Sequence, residues 1–256
     1  MQLYLPFSFS SFSRFFYSKE RLLFLLFCLF TPLIAHPVNA AQPTNITDNS
    51  GRNIALSKPF TRIISLYSAH TENLCSLGAE EQLIGISQSD DYPLSVLDRR
   101  RYSYREDAEK FIAARPDLVL VRPMIERSYP QFIKKLELAG ITVFSLQPGS
   151  VKELFDYWKT LGTLAGKEKK ADEMIHSFQS GLKKVQGRLA DIPADSRPKV
   201  YFESIHRKMK TFSQNGIAMY VLGQAGGINI ATDARQVRKT NIAAYSKERI
   251  LNHASL

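Results

Sequence analysis

Cross-links are the first thing this chain cannot rely on. Its 256 residues include two cysteines, Cys28 and Cys75. Cys28 lies in an N-terminal segment expected to be removed, so Cys75 is left alone and no intrachain disulfide can form. Cys28 follows Phe27 rather than a small residue, which makes it a poor lipid-attachment site. The apolar run "LLFLLFCLFTPLIA", Leu22 to Ala35, has 14 residues against the roughly 20 that a bilayer-spanning helix needs. There is no GxxxxGK[ST] phosphate loop, no G-x-S-x-G elbow and no HExxH, which removes the usual NTPase, hydrolase and metalloprotease signatures. "GQAGG", Gly223 to Gly227, lacks the strand-then-helix setting of a nucleotide fingerprint. No Lys/Arg run carries interleaved aromatics, so a nucleic-acid groove is not expected. The densest basic cluster, "RKMK" from Arg207 to Lys210, reads as a solvated loop.

What is present is an ordinary globular composition, 44% hydrophobic and 23% charged. A fold without disulfides must rest on its core, and about 215 residues can supply one. The net charge is +10, and loss of Arg14, Lys19 and Arg21 with Glu20 lowers it to +8. A basic surface suits an anionic partner or solute. Arg14, Lys19 and Arg21 precede the apolar run, and Val38 and Ala40 fit a small-x-small cleavage site, so residues 1–40 read as a signal peptide of an exported protein.

After the leader, "ITDNSGRNIALSKPFTRIISL" reads as a hairpin turning at Asn49-Ser50-Gly51, then a buried strand over Arg62–Leu66. Strands and helices then alternate. "SAHTENLCSLGA" is a helix capped by Ser68 or Thr71, "QLIGIS" a strand, and "EDAEKFIAA" a helix closed by Arg115-Pro116. "DLVLV" is a strand covered on both faces, "SYPQFIKKLELAG" a helix and "ITVFSL" a buried strand. Such alternation implies parallel strands with ligands outside their carboxyl ends. The loops there are Tyr67–His70, Ser87–Pro93 and Arg122–Met124. From Val151 the texture is helical. Glu168 to Leu189 reads as one helix of roughly 33 Å, with Met174, Ile175, Phe178, Leu182, Val185 and Leu189 on one face. Strand texture returns at Lys199–Ile205, and "IAMYVLGQAGG" is a further helix. The expected division is 1–40 leader, 41–148 N-terminal α/β lobe, 149–197 helical linker and 198–256 partial C-terminal α/β lobe. The fold class is α/β, two parallel-sheet lobes bridged by a single long helix, the second incomplete. Glu248-Arg249-Ile250-Leu251 repeats the order of Glu109-Lys110-Phe111-Ile112, at an offset of 139 residues.

These pieces together resemble the periplasmic solute-binding proteins of ABC importers for cobalamin, ferric siderophores and haem. The resemblance is carried by "ITDNSGRNIALSKPFTRIISLYSAHTENLCSLGAEEQLIGIS", "DDYP", "DAEKFIAARPDLVLV", "ITVFSLQPGSVKELFDYWKTLGTLAGKE", "AGGIN" and "YSKERIL", over essentially all of 45–256. It implies a periplasmic monomer that captures a metal chelate between two lobes and hands it to an inner-membrane permease with its cytoplasmic ATPase, without a cofactor. It also implies a permease-docking glutamate on each lobe, Glu109 and Glu248. Read alone, each is an acid favourable at a helix N-terminus. A complete member continues past "YSKERIL", so the chain is expected to be truncated.

Ligand candidates by the same pattern are Tyr67, His70, Asp91, Tyr92 and Arg122 on the first lobe, and Glu203, His206, Arg207, Lys208 and Tyr245 on the second. Basic and aromatic groups suit an anionic, flat or ring-shaped chelate, and Tyr or His can ligate haem iron. Each also reads as a polar strand-end residue with a local hydrogen bond. Two other readings stay open. A zinc or manganese binder would use His70 and His206 in suitable loops, and an exported hydrolase would rest on Ser68 near His70.

Overall fold

The computed structural model describes residues 43–237 and 240–254. The signal peptide read over residues 1–40 and its cleavage site lie outside them. The first half begins with an antiparallel hairpin, β1 (Thr44–Thr47) and β2 (Asn53–Leu56), turning through Gly51 at φ 84° as expected. Five parallel strands follow: β3 (Ile63–Ser65), β4 (Leu83–Ser87), β5 (Arg100–Tyr102), β6 (Leu118–Val121) and β7 (Thr142–Ser145). Their order is β5-β4-β3-β6-β7. Chain order therefore reverses between β3 and β6, which pair directly through Ile63–Leu118, Ile64–Val119 and Ser65–Leu120.

The absence of alternation in "DLVLV" has its cause in the layers. Leu118 and Leu120 face one core with Ile63, Leu83 and Phe144. Val119 and Val121 face another with Ile64, Leu66 and Val143. The first core is closed by α1 (Ser68–Ser76) and α5 (Val151–Ala165). The second is closed by α2 (Glu109–Ala114), α3 (Pro123–Ser128) and α4 (Pro130–Leu138). Apolar area removed from water on both faces, worth about 25 cal/mol per Å², offsets the ordering entropy of the strands.

Polar joints fix the order. The Asp117 carboxylate of the Pro-Asp pair accepts the Thr61 and Arg62 backbone N–H groups at 2.8 and 2.9 Å, clamping the entry to β3 beside β6. Arg62 donates to the Ala114 and Arg115 carbonyls that end α2, and Arg115 closes that helix in the left-handed region at φ 50°. Asp48, buried in the hairpin turn, accepts from the Ser50 and Arg52 backbone N–H groups, from the Arg52 guanidinium and, at 3.0 Å, from Ser145 N–H at the end of β7. Arg52 also reaches Glu126 of α3 at 2.8 Å and Glu137 of α4 at 3.1 Å. The expected cap of α1 is not made by a side chain. Tyr67 is the N-cap residue, Ser68 is already helical, and Thr71 turns its hydroxyl to Asp90 at 2.6 Å.

Ser150 caps α5 by accepting from Glu153 N–H, and Glu153 in turn accepts from Gly149 N–H. Gly166 ends α5 at φ 65°, where a Cβ would lie 2.6 Å from Pro59. The next helix, α6 (Glu168–Leu189), has the bounds read from the sequence. Ala171 and Ile175 are buried, and Phe178 meets Trp158 edge-on at 5.4 Å. Its apolar stripe is buried only in this first half, and Val185 is 39% exposed. At its far end Leu189 packs on Gly226, and Gln186 bonds Gln224 at 2.6 Å.

The second half holds β8 (Lys199–Val200), β9 (Lys210–Phe212), α7 (Ile217–Gln224), β10 (Ile228–Asn229), β11 (Arg235–Gln236), β12 (Ile242–Ala244) and α8 (Lys247–Ala254). β8 and β10 pair parallel, while β11, β12 and β9 form an antiparallel sheet. The strand read over Lys199–Ile205 is regular only at Lys199–Val200, because the chain turns back from Ile205 to Lys210 as a hairpin.

Gly181 and Gly187 sit in α6 with open space where a Cβ would stand. Gly181→Ala and Gly187→Ala should each stabilise the fold by roughly 0.5–1 kcal/mol, read as a raised urea midpoint with unchanged slope. A fall in midpoint would contradict the continuous helix.

Candidate ligand-binding cleft

The reversal of strand order places the ends of β3 and β6 side by side, the position where open α/β sheets leave a crevice. Tyr67 follows β3 and Arg122 follows β6. The Arg122 guanidinium lies over the Tyr67 ring, 4.8 Å from its centre, a cation–π arrangement that fixes where the charge sits. Pro123 opens α3 directly after Arg122, so an extended backbone at the N-cap is required and the side chain leaves the strand edge.

A cavity of about 390 Å³ lies between these loops and the second half. One wall is Arg122, Met124 and Arg127 with Gln147 after β7, and the other is Thr240, Asn241 and Ile242 at the start of β12. The volume is that of a small-molecule site. Gln147 is held by its backbone N–H donating to Asn49 Oδ1 at 2.9 Å. Asn241 is held by its carbonyl accepting from Ser213 N–H at 2.8 Å.

Of the residues expected at the site, Arg122 lines this cavity, and Tyr67 supports it from behind. His70 does not reach it. The ring is fully buried, with Nε2 3.1 Å from the Val121 carbonyl and Nδ1 2.8 Å from the Tyr157 hydroxyl. A carbonyl only accepts, so Nε2 carries the proton and Nδ1 accepts from Tyr157. Both nitrogens are occupied, which removes His70 as an iron or zinc ligand. Asp91 and Tyr92 are exposed on the loop after β4, Tyr92 at 62%. Their neighbour Asp90 is the buried one, accepting from Thr71 and from Ser87 N–H. Glu203, His206, Arg207 and Lys208 form the solvated hairpin turn outside the cavity lining, with Arg207 at φ 56°. Tyr245 is buried, donates to the Ile230 carbonyl at 3.1 Å and stacks on Tyr201. Among the described residues no three His, Cys, Asp or Glu side chains converge as a metal site. Ser68 meets Ser89 at 3.2 Å rather than His70.

Arg127, Gln147 and Asn241 are absent from the residues that the sequence alone points to. A signal exists for Arg127, which lies one helical turn beyond the Arg122–Met124 loop. None exists for Asn241, because its place depends on pairing between distant strands. The two glutamates are exposed in the first turns of α2 and α8. The Glu248 carboxyl is held below its ordinary range by its own backbone N–H and by the Ser246 hydroxyl.

The family profile described as periplasmic binding protein matches residues 63–255. Among similar proteins, the uncharacterized ABC transporter substrate-binding lipoprotein YvrC of Bacillus subtilis is 31% identical over 163 residues, 63% of this chain and 52% of that protein. The vitamin B12-binding protein of Vibrio cholerae is 27% identical over 184 residues, 70% of this chain and 64% of that protein. The chain thus matches about half of the first relative and under two thirds of the second. A crystal structure of a possible iron-binding (periplasmic solute-binding) protein from Staphylococcus epidermidis superposes with a TM-score of 0.66 at 26% identity, covering 76% of this chain and 74% of that one.

Burial lowers the His70 pKa to about 4; the Val121 bond opposes the shift and the Arg122 charge adds to it. Above about pH 6.5 the ring is neutral folded and unfolded, and no penalty exists. As pH falls from there to 4, the unfolded chain gains a proton that the fold refuses. Stability should therefore drop by about 3 kcal/mol over this window, measured by urea unfolding. His70→Gln should flatten that part of the profile; an unchanged profile would contradict the assigned environment.

Proposed function

The chain belongs to the periplasmic binding protein family, and from that premise we propose that it is the solute-capturing component of an ABC importer, exported to the periplasm. Its solute is a metal chelate of the iron–siderophore, haem or cobalamin kind, and its action is binding and delivery rather than catalysis. The observation that carries this reading is the 390 Å³ cavity at the strand-order reversal, walled by Arg122 and Arg127 on one side and by Asn241 on the other. The vitamin B12-binding relative and the iron-binding structural relative support the chelate class. On this reading residues 41–148 form one lobe, 149–197 a linker with the long helix, and 198–256 part of a second lobe. The protein acts as a monomer.

Delivery requires an inner-membrane permease, with the energy coming from its cytoplasmic ATPase. Glu109 and Glu248, exposed at helix starts, are the docking groups. A carboxylate pairs with a guanidinium through two parallel hydrogen bonds, and two such contacts fix register more than they add affinity.

Calorimetric titration of the whole chain with haemin, cyanocobalamin and a ferric siderophore should give one saturating one-to-one curve. Absence of binding to all three would overturn the reading. In proteoliposomes holding permease and ATPase, Glu109→Lys should weaken association roughly tenfold while calorimetric chelate binding stays as before. Unaltered association would remove the docking role.

A further inference from the structure

The cavity wall is charged in one sense. Among its described lining residues are two guanidinium groups, Arg122 and Arg127, and no carboxylate. Among the described residues neither cation has a carboxylate within ion-pair distance. Arg52, one helix away, shows the contrast, since it is neutralised by Asp48, Glu126 and Glu137. Arg122 is half-buried and held over the Tyr67 ring, which orients the guanidinium without cancelling its charge.

Two of the acids beside the cavity, Asp48 and Glu153, are otherwise engaged. A smaller space of about 160 Å³ shares Gln147 and Pro148 with it and is lined by Asp48, Glu153 and Asp156. There the Asp48 carboxylate is taken up by Arg52 and three backbone N–H groups. Glu153 turns to Gly149 N–H at 2.8 Å. Arg122 carries an uncompensated charge at a half-buried position beside its aromatic support, which is costly. Arg127, exposed on the same lining, adds a second charge, and a negative group on the ligand pairs with both.

We propose that the cleft selects negatively charged metal chelates over uncharged or cationic ones of similar size, with Arg122 and Arg127 taking the anionic oxygens. This rests on the reading of the cleft as a chelate site and narrows it to a charge class. The probes are haemin and ferric citrate, which carry free carboxylates, against cyanocobalamin and ferrioxamine B, which carry no net negative charge. Titrations are run on the whole chain at low and high salt.

The expected result is at least about tenfold tighter binding of an anionic probe than of either other probe, with the difference shrinking as salt rises. Arg127→Gln, at an exposed position that should not disturb folding, and Arg122→Gln should each cut anionic binding by about tenfold. Equal or tighter binding of cyanocobalamin or ferrioxamine B would overturn the charge selection and leave chelate capture standing. Binding of no probe would overturn both.

Discussion

The pairing of β3 with β6 is the constraint on which the rest depends. These two strands lie at the centre of the sheet, and successive residues along each enter different cores. Ile63 and Leu118 pack on one side, Ile64 and Val119 on the other. A slip of one residue would send every one of these side chains to the wrong face. Because both faces are apolar, the penalty lies in shape rather than polarity, and the polar clamp from Asp117 to Thr61 and Arg62 supplies the missing register signal. With that register set, Tyr67 and Arg122 must emerge together at the carboxyl edge, and their stacking follows.

A second set of contacts carries order outward from that edge. Asp48 binds the hairpin turn to Ser145 at the end of β7, two residues before Gln147 lines the cleft. Arg52, held by Asp48, grips Glu126, and Ser50 bonds the same carboxylate. Glu126 sits on α3 between Arg122 and Arg127. The hairpin thus braces the short helix that follows Arg122 and carries Arg127. Within this network the Asp48 carboxylate alone is fully buried, and its pairing with Arg52 offsets the desolvation cost. The stretch so braced, from Arg122 through α3, carries two guanidinium groups that line the cavity.

Much of this is legible in the chain. Runs such as "DLVLV" announce two covered faces by their lack of alternation, and Asn49-Ser50-Gly51 marks the hairpin by turn chemistry. The 3- and 4-residue spacing from Met174 to Leu189 gives a helix with the observed bounds. Polar side chains are harder to place, because type alone does not fix direction. His70 looks like a strand-end ligand, yet as the third helical residue of α1 it points inward to Val121 and Tyr157. The loop pattern points to Asp91 where Asp90 is the organised carboxylate. Asn241 reaches the cavity only through the antiparallel pairing of β12 with β9, a contact between distant segments that no local pattern encodes.

The central claim is that one solute is held simultaneously by the strand-end loops of the first half and by the start of β12. Amide hydrogen exchange with and without bound haemin tests it most directly. Slowed exchange in both 122–128 and 240–244, with little change in the hairpin over 203–210, is the predicted result. Slowing confined to 203–210, or to one wall of the cavity alone, would contradict it.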